Sequence, residues 1–313
     1  MKVLVTGGAG FIGRWVVKRL LTDGIDVWVL DDLSNGSESN LQEFAEADNY
    51  HGMTICDISD SKCVEKLFST KYDVCIHSAA QINVQESLDN PEKSFKTNVI
   101  GTYNLLNNAL KYDTRIVIIG TCMVYDMAQS DGISELSPVR PTSPYAGSKL
   151  AAENLALSYY YGFGLPVVIL RPFNTYGPFQ KTNMEGGVVS IFIKNKVQGS
   201  KLKVFGDGTQ TRDLLYVEDC AGFITAASFS DNAIGQIINA GAGKDITIND
   251  LALLICKDPN RIEHVEHHHP QSEIPKLLCD NTKARKILNW QPKTPLEEGI
   301  LKTEQWIKAH EVN

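Results

Sequence analysis

Tyr145 and Lys149 stand four residues apart in Tyr145-Ala146-Gly147-Ser148-Lys149. On a helix that spacing puts both side chains on one face, one turn apart. A free phenol keeps its proton at neutral pH, and a nearby ammonium group favours the phenolate. The pair is therefore expected to lower the Tyr145 pKa, so that the phenolate takes a proton from a hydroxyl whose carbon gives up a hydride. An ordinary exposed helix could carry the same two residues, so the pair gains meaning from what precedes it. Thr6-Gly7-Gly8-Ala9-Gly10-Phe11-Ile12-Gly13 holds glycines at two overlapping spacings, Gly7/Gly10/Gly13 and Gly8/Gly10/Gly13. Such glycines permit a tight turn and bring backbone N–H groups against a pyrophosphate at a helix N-terminus. Asp31 ends the second apolar run, where a carboxylate accepts bonds from adenosine ribose hydroxyls and repels a 2′-phosphate. The expected cofactor is NAD rather than NADP, with Asp32 next to the ribose contact and Asp57-Ile58 flanking the adenine.

These groups need a scaffold, and the hydrophobic pattern describes one. Lys2 to Thr6, Asp26 to Leu30, Met53 to Ile55, Val74 to His77, Arg115 to Ile119 and Val167 to Leu170 read as short apolar strands. Helical patterns fall between them, notably Phe11 to Thr22, Pro91 to Tyr112 and Tyr145 to Tyr161. Continuous apolar strands alternating with helices predict a doubly wound, Rossmann-type parallel α/β sheet. The expected dinucleotide-binding domain is residues 1–172, with the chain returning to it near 214–232. Residues 173–313 are expected to form a smaller C-terminal α/β lobe for the substrate.

Composition narrows the class. The 313 residues are 43% hydrophobic and 21% charged, with a net charge of −7, and no basic stripe or cluster suggests nucleic acid or an anionic membrane. Seven cysteines, at 56, 63, 75, 122, 220, 256 and 279, show no zinc-ribbon spacing and fit reduced thiols better than a disulfide framework. With no leader-like N-terminus and no transmembrane-length apolar run, the expected location is the cytoplasm.

Several further motifs give the chain a resemblance. They are His77-Ser78-Ala79-Ala80, Asn98-Val99-Ile100-Gly101-Thr102, Thr121 to Tyr125, Arg171-Pro172-Phe173-Asn174-Thr175-Tyr176-Gly177-Pro178, and Phe205 to Asp213 with Tyr216-Val217-Glu218-Asp219. Together with the glycine turn and the Tyr145/Lys149 pair, they resemble the extended short-chain dehydrogenase/reductases that epimerise or dehydrate nucleotide sugars. The resemblance implies cofactor contacts from Phe11, Ile12, Ser78, Ala79, Ala80 and Asn98. It also implies that Lys149 holds the nicotinamide ribose and that Thr121 bonds the substrate hydroxyl beside Tyr145. Asn174 would touch the substrate near its diphosphate, the backbone at Val204-Phe205 would hold the base, and Arg212 would pair with the diphosphate. A structural ion pair of Arg212 with Asp207 or Asp213 is the competing role. The implied substrate is a nucleotide-diphosphate sugar, with UDP expected, and the implied assembly is a homodimer through 91–112 and 145–161, using Phe95, Val99, Tyr103, Leu106, Leu150, Leu157 and Tyr161.

Two departures from the family pattern separate the possible reactions. A second phosphate-binding arginine is missing near residue 270, where His267-His268-His269-Pro270-Gln271-Ser272-Glu273 stands instead. A histidine in its place, or a plain polar loop, is expected there rather than a metal site. The second departure is Thr121-Cys122-Met123, where related 4,6-dehydratases carry Thr-Asp-Glu. Met123 has no titratable proton, whereas Cys122 has one to give or take. One reading follows oxidation at carbon 4 with chemistry at carbons 5 and 6, Cys122 handling the carbon 5 proton or the carbon 6 oxygen. Branches of the family that make or consume 5,6-unsaturated UDP-N-acetylhexosamines, including steps toward pseudaminic-acid-type sugars, are similar in carrying a cysteine. The alternatives are 4-epimerisation of a UDP-sugar with Cys122 as filler, and decarboxylation of UDP-glucuronate. A nucleotide sensor without activity would have no need of an acid–base tyrosine.

Overall fold

The structure, a computed structural model, describes residues 1–127, 132–182, 187–267 and 270–310. The first half alternates strand and helix: β1 (Lys2–Thr6), α1 (Phe11–Thr22), β2 (Asp26–Asp31), β3 (Tyr50–Ile55), α2 (Ser61–Phe68), β4 (Val74–His77). There follow α3 (Val84–Asp89), α4 (Pro91–Ser94), α5 (Thr102–Tyr112), β5 (Arg115–Ile119), α6 (Pro144–Phe163) and β6 (Val167–Pro172). The rest comprises β7 (Asn174–Tyr176), α7 (Val188–Val197), β8 (Leu202–Phe205), β9 (Thr211–Tyr216), α8 (Val217–Ser228), β10 (Ile237–Ala240), β11 (Asp245–Thr247), α9 (Ile248–Cys256), β12 (Ile262–Val265), β13 (Lys276–Leu277), α10 (Thr282–Leu288) and α11 (Leu296–His310).

Seven strands pair in the order β10-β6-β5-β4-β1-β2-β3, every pair parallel. Side chains alternate across such a sheet, so one strand feeds two cores. In β1, Val3 and Val5 join the cluster containing Val16, Val17 and Leu20 of α1 and Phe223 of α8. Leu4 joins the opposite cluster, with Val64 and Phe68 of α2 and Leu105 and Leu106 of α5. Both faces are covered, which is why these strands read as unbroken apolar runs. The return to this sheet runs past the expected 214–232, because β10 adds a strand beside β6.

The second lobe centres on β9, which pairs β7, β11 and β13, with a separate β8–β12 ladder beside it. Asp213 is fully buried there and accepts the backbone N–H groups of Ala242 (2.6 Å), Gly243 (2.9 Å) and Cys279 (3.1 Å). It ties three separate segments together, and burial pushes its pKa up to about 6.

Three expectations change. The helix expected over Pro91 to Tyr112 is α4, a π-helical stretch Phe95–Gly101, and α5. A π-turn turns the following side chains relative to an α-helix, and such stretches recur at functional sites. Of the residues assigned to a dimer face, Leu106 is fully buried and Leu157 packs against the same sheet core, while Leu150 packs on a third cluster around Cys122. Phe95, Tyr103 and Tyr161 remain exposed, at 55%, 46% and 76%. Finally, not all cysteines are reduced thiols: Cys56 at the end of β3 is bonded to Cys63 in the first turn of α2, with Cα atoms 6.6 Å apart. The loop between them folds back tightly enough to bring both together, which linear spacing does not reveal. The other five cysteines are free and buried. Among the described residues no helix is long and apolar enough to cross a membrane.

Candidate functional site

A cleft of about 450 Å3 lies at the C-terminal ends of the parallel strands, where open α/β sheets bind ligands. Its floor begins at the glycine turn. Gly7 has a φ of +70° and donates its N–H to Leu30 O at 2.7 Å. A Cβ on Gly7 would stand 2.6 Å from the backbone nitrogen of Ala79, and one on Gly13 would overlap the Gly7 carbonyl. Only hydrogen fits at either place, so the turn stays tight. Helix α1 then starts at Gly10 with no side-chain cap, leaving the first-turn N–H groups and the positive end of the dipole to the cleft. Gly7, Gly10, Phe11, Ile12 and Gly13 all line it.

Asp31 and Asp32 line the cleft beside this turn. Asp31 is buried, accepting Ala9 N and Leu33 N at 2.9 Å each. Two of its four lone-pair positions are thus used in shaping the loop, and two remain for ribose hydroxyls. Ile58 also lines the cleft, as do Ser78, Ala79 and Ala80 after β4. These cradled glycines, the uncapped helix end and the buried acid fit an NAD molecule. Two expected cofactor contacts are placed elsewhere. Asp57 does not line the cleft and accepts Ser59 N at 2.8 Å. Asn98, in the π-helical stretch, is buried away from it: its Oδ1 accepts Gln81 N (2.8 Å), and its Nδ2 donates to Gln81 O (3.0 Å) and Ser148 Oγ (2.9 Å). Ser148 Oγ in turn donates to Tyr145 O at 2.8 Å. Asn98 therefore braces the helix that carries Tyr145.

Thr121, Cys122, Tyr145 and Lys149 all reach the cleft. Helix α6 starts on Ser143, whose hydroxyl accepts Ala146 N, and Pro144 in its first turn is pre-set for helix. The expected low pKa of Tyr145 is not found. Burial pushes it up to about 12, outweighing the lowering by a hydrogen bond with Thr121. Lys149 points its Nζ to Ile119 O at 2.6 Å and is itself lowered to about 8 by burial. One desolvated environment penalises both charges, so spacing alone misjudged the balance. Cys122 sits in a short 3₁₀ turn capped by the Thr121 hydroxyl. It is 3% exposed, and burial pushes its thiol up to about 12 despite the opposing field of Arg212.

The far end of the cleft is less complete. Asn174 lines it with a buried Oδ1 that has no hydrogen-bond partner among the described residues. Val204, Phe205 and Arg212 lie outside it. Val204 is fully buried, and Phe205 is half exposed with its ring 5.9 Å from that of His267. Arg212 is paired with neither Asp207 nor Asp213. Its Nη1 donates to Thr211 O (2.7 Å) and Ile274 O (3.0 Å), and its Nη2 pairs with Glu273. Glu273 also bonds His267 Nε2 at 3.0 Å. Asp207 instead closes its own turn on Thr209, and Asp213 is the lobe's backbone anchor. His268 and His269 lie outside the described residues; among the described residues no group of His, Cys, Asp or Glu is set to hold a metal.

Other residues of the wall were not expected. Ser34 to Ser37 and Asn40 close over the Asp31 side. Phe179 and Trp306 form the opposite wall, rings 4.8 Å apart. Phe179 takes a φ of +71° and lies 3.8 Å from the buried Arg14 guanidinium. A tryptophan on an amphipathic C-terminal helix carries no sequence signal for such a place.

The fold and the cleft define an NAD-dependent enzyme of the nucleotide-sugar type, and comparison with known proteins agrees. The model of the NAD dependent epimerase/dehydratase family matches residues 3–241, and the chain belongs to that family. It is 59% identical to Pal from Bacillus thuringiensis, with a TM-score of 0.97 and 99% of each chain covered. It is 37% identical to the UDP-glucose 4-epimerase of Mycolicibacterium smegmatis, over 98% of this chain and 99% of the relative. A dTDP-glucose 4,6-dehydratase of Streptomyces venezuelae, solved with NAD bound, superposes with a TM-score of 0.92 at 29% identity, over 99% of this chain and 98% of that one. The protein is an NAD-dependent nucleotide-sugar epimerase/dehydratase.

Proposed function

We propose that this enzyme oxidises carbon 4 of a UDP-sugar and then uses Cys122 to place a proton at carbon 5. NAD held at the glycine turn and Asp31 would supply the hydride acceptor for carbon 4 and, with a 5,6-unsaturated sugar, the hydride for carbon 6. Tyr145 takes the hydroxyl proton, Thr121 bonds the same oxygen, and Lys149 supplies the positive charge that favours the phenolate. With a ketone at carbon 4, the electron pair left by the former double bond is shared between carbon 5 and the ketone oxygen. The Cys122 thiol gives its proton to carbon 5 and becomes a thiolate. Tyr145 holds the proton lost by the hydroxyl, and exchange with solvent restores both groups. The product is a 4-keto-6-deoxy sugar isomeric with the substrate.

The observation that carries this reading is the place of Cys122. Burial keeps the proton on its sulfur, so the thiol has a proton to give. It directly follows Thr121 and lines the same cleft, and its neighbour Met123 has no proton to offer. The base and diphosphate of the substrate would lie toward Val204-Phe205, Asn174 and Arg212. A simple 4-epimerisation is the second reading, favoured by the name of the M. smegmatis relative. It needs only Thr121, Tyr145, Lys149 and room for the ketone to turn over. The exposed Phe95, Tyr103 and Tyr161 support a homodimer through the π-helical stretch, α5 and α6.

Incubation in heavy water with UDP-glucose, UDP-N-acetylglucosamine, UDP-glucuronate and a 5,6-unsaturated UDP-N-acetylhexosamine separates the outcomes. Deuterium at carbon 5 of the last is the expected result. Inversion at carbon 4 without deuterium gives the epimerase, and loss of carbon dioxide gives the decarboxylase.

A further inference from the structure

Behind Lys149 lies a charge pair that the chemistry above does not use. Tyr145, Lys149 and Glu153 follow one another at four-residue intervals on α6, so they share a face. Glu153 is 1% exposed, and Arg171 reaches it from β6 with Nε at 3.0 Å and Nη2 at 2.6 Å, both on Oε2. The other oxygen, Oε1, is buried with no hydrogen-bond partner among the described residues. It presses against Gly120, where any Cβ would overlap it. Gly120 directly follows Ile119, whose carbonyl receives the Lys149 ammonium. The free lobe of the carboxylate is thus turned to the segment that seats Lys149.

Such an arrangement is costly. Two charges removed from water are stabilised only where geometry and further contacts compensate, and apolar residues often serve stability as well. We propose that Glu153, held by Arg171, is a positioning residue that keeps Lys149 charged inside the cleft. Lys149 and Glu153 act on each other electrostatically, and Glu153 is the group that opposes the loss of charge which burial imposes on Lys149. Glu153 also disfavours the Tyr145 phenolate, but from two turns away, and more weakly than burial and Cys122 do. The other groups around Lys149 do not replace it. His77 of β4 is neutral, its Nδ1 bonded to Thr6 Oγ1 and its Nε2 to Thr102 Oγ1. Cys122 faces Tyr145 from the 3₁₀ turn as a protonated thiol. Arg171 is directed to Glu153 and lies 4.7 Å from the Tyr125 ring. The inference rests on Tyr145 and Lys149 being the oxidising pair, and is independent of the role given to Cys122.

The test titrates Lys149 in the NAD-loaded protein by NMR with [ε-¹³C]lysine, the Lys149 signal being the one missing from Lys149→Arg. In Glu153→Gln its midpoint should fall by about one unit, tenfold in the protonation constant, and in Glu153→Asp it should stay near wild type. A midpoint in Glu153→Gln that stays, or rises toward that of free lysine, overturns the proposal. If the single variant does not fold, the double variant Glu153→Gln/Arg171→Gln removes the pair together, and the Lys149 midpoint must still fall, by less because the repulsion of Arg171 is removed as well; a midpoint that stays or rises there overturns the proposal too. Tyr145→Phe, assayed for carbon 4 oxidation, separately tests the oxidising pair, so the two failures are distinguishable.

Discussion

The two ends of the cleft are built in different ways. At the cofactor end, recognition is mostly backbone: a glycine turn, an uncapped helix start and one acid, all within 31 residues of chain that form two adjacent strands and a helix. At the end we assign to the substrate, the side chains come from separate segments: Asn174 of β7 lines the cleft, while Arg212 of β9 and the residues near 270 lie outside it and are already bonded to one another. Arg212 is held by Glu273, and Glu273 holds His267. The carboxylate of Glu273 takes up the guanidinium that we propose for the diphosphate. A cradle of local backbone and a corner closed on itself support the proposal that NAD is retained while the nucleotide sugar exchanges.

That contrast can be broken in several places, the largest effect first. Tyr145→Phe should stop carbon 4 oxidation, with a loss of roughly 100- to 10,000-fold. Stopped-flow absorbance of reduced nicotinamide reads this step directly, and an undiminished signal would remove Tyr145 from the reaction. Arg212→Met should weaken UDP binding by about 10- to 100-fold, the loss expected for a charge-assisted hydrogen bond, without releasing NAD. Glu273→Gln should act in the opposite direction and more weakly, tightening UDP a few-fold by freeing Arg212. Calorimetry on both variants decides whether the corner is closed by its own carboxylate; equal affinities for the two would refute it.

The pH profile offers a further test. Burial lowers Lys149 to about 8, so its charge is present below that pH and lost above it. Oxidation at carbon 4 should therefore fall as pH rises through about 8. A rate that climbs steadily past that point would show that the lysine charge does not matter. The smallest effect concerns Asp31. Asp31→Asn should shift cofactor preference from NAD toward NADP, with the loss of one loop hydrogen bond, because Ala9 N and Leu33 N are accepted by different oxygens of Asp31 and asparagine keeps only one of them. Cofactor released from the denatured wild-type protein should be NAD(H); mainly NADP(H) would contradict the assignment.

The same contrast explains what was legible in the sequence. The cofactor end could be read because its determinants are local: strand, glycine turn, helix and acid follow one another within a single supersecondary unit. The sheet was legible because its strands are buried on both faces. The bonds of Asn98 to Gln81 and Ser148 could not be read because they depend on how the π-helical stretch packs against α6, which the apolar pattern does not record. The Tyr145 pKa was misjudged because desolvation is a property of the assembled cleft, not of residue spacing. The partner of Arg212 could not be read because Glu273 is 61 residues away, and only the packing of β13 beside β9 brings it near. The Cys56–Cys63 pair was hidden in the same way, by a loop whose fold-back is not written in its composition.

The most direct test concerns Cys122. Wild type and Cys122→Ala, both loaded with NAD, would be given a 5,6-unsaturated UDP-N-acetylhexosamine in heavy water, and the product examined by NMR. The account predicts deuterium at carbon 5 with wild type. With Cys122→Ala it predicts that carbon 4 is still oxidised, because Thr121, Tyr145 and Lys149 remain, while labelling at carbon 5 is slowed by roughly 100-fold or more. Labelling at the wild-type rate in Cys122→Ala would contradict it: the cysteine would then be packing, and the 4-epimerase reading would stand in its place.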